Sequence, residues 1–174
     1  MVSNNSEAGA LEYARKHKIP NLHISLMKCG NDLARFERES MQEMKDNGVD
    51  IVVLAGYLKK LPERFVESFE YKILNVHPAL LPSFGGSGLY GLRVHEAVLA
   101  RGCKISGATV HFVTQEYDAG PIIMQKCCEV KQDDTPDSLR QRIRDLEFEL
   151  FPKAISLLAQ DKLFIENNIV HILS

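Results

Sequence analysis

Lys72-Ile73-Leu74-Asn75-Val76-His77-Pro78-Ala79-Leu80-Leu81-Pro82 is the stretch on which the fold turns. Ile73 and Leu74 read as the end of a buried strand, and Pro78 forbids continuation into a helix. Asn75 and His77 alternate with Val76 along an extended backbone, so an amide donor and a titratable imidazole point to one side. Such a pair can simply satisfy loop backbone, or it can be the working end of a strand. A second stretch, Gly107 to Gln125, bears on that choice. It holds a β-rich run, a polar turn carrying Asp118, a Gly-Pro stop and another apolar run. Asn, His and Asp at the mouths of adjacent elements suit acyl transfer.

Working outward toward the N-terminus, Asp50 to Gly56 is a continuous apolar run of strand length, which reads as a central strand covered on both faces in a parallel sheet. Pro62 opens a short helix through Phe65 and Phe69. Upstream, Phe36, Met41, Met44 and Val49 mark one face of a helix from about Arg35 to Asn47, with both methionines in the core, and Gly48 stops it. Leu22 to Ser25 is a candidate strand. Ala8, Leu11 and Ala14 make a short helix with cations at its C-terminal end, preceded by the tail of a strand at Val2 and Ser3.

Toward the C-terminus, Ser83 to Gly91 is Gly-rich but lacks the context of a phosphate loop, so it reads as a mobile connection that can still cover the site. Val94, Ala97, Val98 and Ala100 make the next helix, ended by Gly102, with His95 read as a surface or capping residue. Asp133-Asp134-Thr135-Pro136-Asp137 is a helix start, and Leu139, Ile143, Leu146, Leu150, Ala154 and Leu157 give that helix its apolar stripe. Leu163 to Ile165 and Ile169 to Ile172 form a terminal hairpin. The whole is an alternating α/β chain, for which a mainly parallel, twisted sheet flanked by helices is expected. Ligands of such sheets bind beyond the carboxyl ends of the strands, where Gly56, His77 and Asp118 fall.

Composition narrows the partners. A chain of 174 residues fits one domain, residues 1–174, with a self-sufficient core. Its formal net charge of −2 argues against a nucleic-acid footprint and a polybasic membrane surface, leaving small molecules. Cys29, Cys103, Cys127 and Cys128 show no metal spacing with the histidines and read as reduced thiols. With no signal region and no apolar run long enough to cross a bilayer, a cytoplasmic location is expected.

The run from Asn75 to Pro82 closely resembles the fingerprint N-[IV]-H-P-[SA]-L-L-P of the phosphoribosylglycinamide formyltransferases of purine synthesis. Gly107 to Ile123 resembles that family's second signature, and the likeness extends from about Ser3 to Leu163. The resemblance implies a Rossmann-like formyltransferase fold. It also implies that Asn75, His77 and Asp118 form a catalytic set moving a formyl group from 10-formyltetrahydrofolate to the amine of 5'-phosphoribosylglycinamide, with no metal. On that pattern Asn75 and protonated His77 stabilise a tetrahedral oxyanion, and His77 then serves the departing folate nitrogen as general acid. Asp118 favours the protonated imidazole and takes the amine's proton through a water. The formyl folate is expected against Leu58-Lys59-Lys60-Leu61 and Thr114-Gln115-Glu116-Tyr117, although the two lysines can equally be solvated. Arg144 and Glu147 are expected at the ribonucleotide, or else as a surface ion pair. His111 belongs to the second signature, and its place within a strand favours a buried structural histidine over a catalytic one.

The chain also departs from the family pattern. The family begins with a strand and a G-x-G-x-N loop that holds the substrate phosphate, and roughly one β-α unit of about 30 residues has no counterpart here. The absent strand belongs in mid-sheet, so a rearranged sheet or a partner supplying the strand is expected; a homo-oligomer stays open. The other functions compatible with the motifs are a formyltetrahydrofolate hydrolase, whose motif has a second histidine where this chain has Pro78, and a non-catalytic folate-binding remnant. Methionyl-tRNA formyltransferase fits less well, for want of a basic RNA-binding region.

Overall fold

The structure, a computed structural model, describes residues 1–173. The chain forms two compact units, Met1–Val49 and the remainder from Asp50. In the first, β1 (Val2–Ser3) and β2 (Leu22–His23) pair in parallel across α1 (Gly9–Lys16), and α2 (Leu33–Asp46) follows. Leu11 and Ala14 of α1 are buried, while Arg15 and Lys16 lie in its last turn, where cations meet the negative end of the helix dipole. Asp32 caps α2 by accepting from the Arg35 N–H at 3.0 Å. Phe36 packs with Ile24 and Cys29, whereas Met41 and Met44 are only half-buried. The apolar stripe of α2 is thus covered at its N-terminal end, and the two methionines do not join the buried cluster.

The second unit holds a four-stranded sheet in the order β3 (Val52–Leu54), β4 (Ile73–His77), β5 (Ile105–Phe112), β6 (Ile122–Glu129). β3 runs parallel to β4, and the next two pairs are antiparallel. α3 (Glu63–Ser68) connects β3 to β4, and α4 (Leu92–Ala100) lies between β4 and β5. The fold is therefore the expected α/β sheet containing parallel strands and flanked by helices. β3 is shorter than its apolar run, and it stands at an edge of this sheet with Val53 39% exposed rather than covered on both faces.

α5 (Pro136–Ala159) begins where the sequence placed it. Thr135 and Ser138 form a reciprocal capping box, and Asp134 accepts from the Lys131 N–H and from both terminal nitrogens of Arg142. That guanidinium holds the Asp134 carboxyl well below the usual carboxylate range. Leu139, Ile143, Leu150 and Ala154 of α5 close over Leu74 of β4, Val110 and Phe112 of β5 and Val98 of α4, forming one core under the sheet. A hairpin of β7 (Leu163–Glu166) and β8 (Ile169–Ile172) follows. Its turn residues Asn167 and Asn168 adopt φ of 50° and 66°, the left-handed values a two-residue hairpin turn requires. Among the described residues no helix is long and apolar enough to cross a membrane.

Candidate functional site

The site begins at the end of β4. Within the strand Ile73 and Leu74 are buried in the core, and the pleat turns Asn75 and His77 to a common side. Pairing with β5 sets Asn75 opposite His111 and His77 opposite Thr109. Thr109 is fully buried and fixes the chain that leaves His77: its hydroxyl donates to the Ala79 carbonyl at 2.6 Å and accepts from the Leu81 N–H at 3.0 Å. Gln125 of β6 donates to the same hydroxyl and to the Leu81 carbonyl, both at 2.9 Å. The backbone after the histidine is therefore held by side chains from two strands.

Asp118 reaches the same point from the turn between β5 and β6, with φ of 55°, a left-handed conformation that a short Asp side chain tolerates. One carboxylate oxygen lies 3.5 Å from His77 Nδ1 and the other 3.7 Å from His111 Nε2. The sequence separated His77 and Asp118 by a helix and a strand, and the fold brings them together with Asn75 and His111.

Hydrogen bonding fixes the tautomer of His111 and orients the His77 ring. His111 Nδ1 lies 2.8 Å from the Phe112 carbonyl, which can only accept, so Nδ1 carries the hydrogen. In the neutral ring Nε2 then presents its lone pair, 3.3 Å from the Asn75 amide nitrogen, which donates to it. Burial drives the His111 imidazole toward this neutral form, against the opposing pull of the Phe112 carbonyl and Asp118. Asn75 thereby spends one amide hydrogen on His111 and keeps the other for the cavity. His77 Nε2 donates to the Phe84 carbonyl at 2.8 Å, leaving Nδ1 toward Asp118. Acceptor oxygens therefore face both nitrogens of the ring.

Phe84 belongs to the Gly-rich connection, and so does Gly86, whose N–H donates to Asp118 at 2.9 Å. The segment covers both His77 and Asp118, and it must come close to do so. A β-carbon at Gly85 would lie 2.5 Å from Leu81 Cδ2 and 3.1 Å from Asp118 Cβ. The leucine methyl can swing away, but the aspartate would have to shift by a few tenths of an ångström. Gly85→Ala should therefore lower kcat by about tenfold to a hundredfold while the melting temperature changes little, because catalysis is more sensitive than packing to small misplacements. Parallel kinetics and thermal unfolding check this; an unchanged kcat would mean that the Gly85 contact does not hold Asp118.

These groups open on a cavity of about 630 Å³. Leu58, Lys59, Lys60 and Leu61, after β3, line it, as do Thr114, Gln115, Glu116 and Tyr117. Gln115 donates to the Glu63 carbonyl at 2.8 Å and so ties the second of these segments to α3. Lys59 and Lys60 are exposed at the rim. Arg144 and Glu147 line the same cavity from α5. Arg144 lies over the Phe148 ring at 5.1 Å from its centroid. Burial pushes the Glu147 carboxyl up, with Arg144 and Arg140 pulling it back down.

Sequence reasoning misses three contributors. The Phe84 carbonyl and Gly86 N–H are backbone groups, which residue identity does not advertise. His95 was read as a surface or capping residue, yet it is 2% exposed and lines the cavity. Its position three residues before Val98 and next to Val94 places it on the buried stripe of α4, which is the signal that could have found it.

Known proteins resemble this chain closely. The sequence pattern described as formyl transferase matches residues 1–155. A chloroplastic phosphoribosylglycinamide formyltransferase of Arabidopsis thaliana is 41% identical over 163 residues, covering 94% of this chain and 56% of its own length. The crystal structure of glycinamide ribonucleotide transformylase 1 from Symbiobacterium toebii superposes with a TM-score of 0.90 at 37% identity, covering 99% of this chain and 79% of that one. A formyltetrahydrofolate deformylase from Pseudomonas syringae superposes with a TM-score of 0.86 at 27% identity, over 55% of its chain. The chain thus spans little more than half the length of the plant relative.

Proposed function

The chain belongs to the formyl transferase family, and from that premise we propose that it moves a formyl group from 10-formyltetrahydrofolate to the amine of 5'-phosphoribosylglycinamide. The observation that carries the proposal is the meeting of Asn75, His77 and Asp118 at one mouth of the sheet, with His77 Nδ1 3.5 Å from the Asp118 carboxylate. The free Asn75 amide hydrogen and an imidazolium N–H suit an oxyanion forming between them, in a pocket where both histidines are buried. Attack by the glycinamide amine on the formyl carbon makes that oxyanion. Collapse breaks the bond to the folate nitrogen, which takes a proton from His77, while the amine's proton passes through a water to Asp118. The Nε2–H of His77 is occupied by the Phe84 carbonyl, so withdrawal of the Ser83–Gly91 segment frees it for the reacting groups.

The formyl folate is assigned to the wall of Leu58 to Leu61 and Thr114 to Tyr117, and the ribonucleotide to Arg144 and Glu147. Both compact units are taken together as one formyltransferase domain, a view supported by the family match running across both. A cytoplasmic location is part of the same proposal, and the four free cysteines are consistent with it.

Glu147 tests the assignment of the ribonucleotide. A carboxylate there accepts from ribose hydroxyls, so Glu147→Gln should raise the KM for the ribonucleotide about tenfold and leave that of the formyl donor near the parent value. The same substitution has a stability signature. Because burial raises the carboxyl in the folded state, its contribution to stability is complete below the unfolded value and is lost as pH rises through the folded one. Glutamine carries no such penalty, so the variant should gain stability over the parent at neutral pH and lose that advantage in acid. Steady-state kinetics and urea midpoints at the two pH values read both effects. Ribonucleotide-independent turnover, or a KM change confined to the formyl donor, would overturn the assignment.

A further inference from the structure

His95 is buried on α4 with a ring nitrogen that has no partner among the described residues. It is 2% exposed, and its Nδ1 is sealed from solvent with no hydrogen bond. A buried polar atom without a partner opposes folding, and a phenylalanine would fill the same space without that penalty. The ring also lines the cavity that holds His77, and α4 packs against α5, which brings Arg140, Arg144 and Glu147 to that cavity. His95 therefore stands on the α5 side of the site.

We propose that His95 is a specificity-determining residue that presents its Nε2–H to an acceptor oxygen of the ribose-glycinamide portion of the substrate. This rests on the transfer reading above and adds a donor to it. The tautomer follows from the burial of Nδ1. Sealed without an acceptor, Nδ1 is better left as a lone pair than as an N–H, which places the hydrogen on Nε2, the nitrogen left to face the cavity. Burial and the nearby Arg140 and His77 charges keep the ring neutral by lowering its pKa to about 4, with Asp137 opposing them. A neutral donor of this kind recognises a hydroxyl, ether or amide oxygen, and it stays in the same state across the pH range of the reaction.

The test compares the parent chain with His95→Phe, which removes the donor and keeps an aromatic ring, and with His95→Gln, whose amide nitrogen reaches about as far as Nε2. His95→Phe should raise the KM for phosphoribosylglycinamide about tenfold, with the KM for the formyl donor within about twofold of the parent and the melting temperature equal or higher. His95→Gln should recover most of the lost affinity. A structural histidine would behave in the opposite way: the melting temperature would fall and the KM for the ribonucleotide would hold, which would overturn the proposal. So would a rise confined to the formyl donor, or failure of His95→Gln to restore the ribonucleotide KM. Calorimetric titration of phosphoribosylglycinamide onto the three proteins separates this proposal from the transfer reading. Ribonucleotide binding that weakens in His95→Phe upholds the donor even where the parent shows no turnover, and equal binding by parent and variant refutes it.

Discussion

Replacement of His77 by alanine should lower kcat for formyl transfer on the order of a thousandfold, the range expected when one group supplies both oxyanion stabilisation and proton transfer. His77 is the side chain on which the local structure converges: Asp118 on one nitrogen, the Phe84 carbonyl on the other, and a buried threonine holding the backbone that leaves it. None of these contacts carries the core, which lies under the sheet among Leu74, Phe112, Leu139 and Ile143. The variant should accordingly fold, with a cavity penalty of about 1–3 kcal/mol for the lost ring. Single-turnover rates measured with both substrates saturating, beside circular dichroism of the variant, separate loss of chemistry from loss of fold. A folded variant within tenfold of the parent rate would remove His77 from the mechanism.

Gly120→Ala should produce the largest loss of stability of any single methyl addition in the second unit. A β-carbon at Gly120 would stand 1.9 Å from the Phe112 carbonyl oxygen and 2.8 Å from its carbon, and neither can swing aside as a side chain would. That carbonyl is held in place because the Phe112 N–H donates to the Pro121 carbonyl at 2.9 Å and the carbonyl itself receives His111 Nδ1 at 2.8 Å. The strand-turn-strand crossing must open for the methyl to fit, at a cost of about 3 kcal/mol or more, at the upper end of overpacking. Because the displaced carbonyl orients His111, and His111 orients Asn75, the surviving folded fraction should also show reduced kcat. Gly9→Ala is the control: nothing lies within 4 Å of a β-carbon there, at the start of α1, so it should be neutral or slightly stabilising. Urea unfolding of both variants reads the difference, and a Gly120→Ala midpoint equal to that of Gly9→Ala would refute the close approach.

Much of this is legible in the amino-acid sequence. The N-x-H pair at a strand end, the Asp-bearing turn, the capped start of α5 and the Asn-Asn hairpin are local signals, in which residue type and spacing directly set backbone geometry. Three features were not legible for three different reasons. The contacts from Phe84 and Gly86 run through backbone atoms, so the Gly-rich segment reads as a mobile connection able to cover the site, without showing that its carbonyl and N–H meet His77 and Asp118. His95 reads as a surface or capping residue, yet burial of the apolar face of α4 takes the ring with it. The run from Asp50 to Gly56 reads as a central strand covered on both faces, but apolar character alone does not say which neighbour pairs with it, and β3 stands at an edge of its sheet. The half-buried Met41 and Met44 belong to the same class, since periodicity assigns a face and leaves open how far that face is covered.

The most direct test of the proposed activity follows a labelled formyl group. The chain is supplied with 10-formyltetrahydrofolate carrying the label, with and without phosphoribosylglycinamide, and the label is traced to the ribonucleotide or to formate. The expected result is label on the ribonucleotide amine, one equivalent of tetrahydrofolate per transfer, and no release without the acceptor. Label appearing as formate at the same rate with or without the ribonucleotide would contradict it and assign the site of Asn75, His77 and Asp118 to hydrolysis.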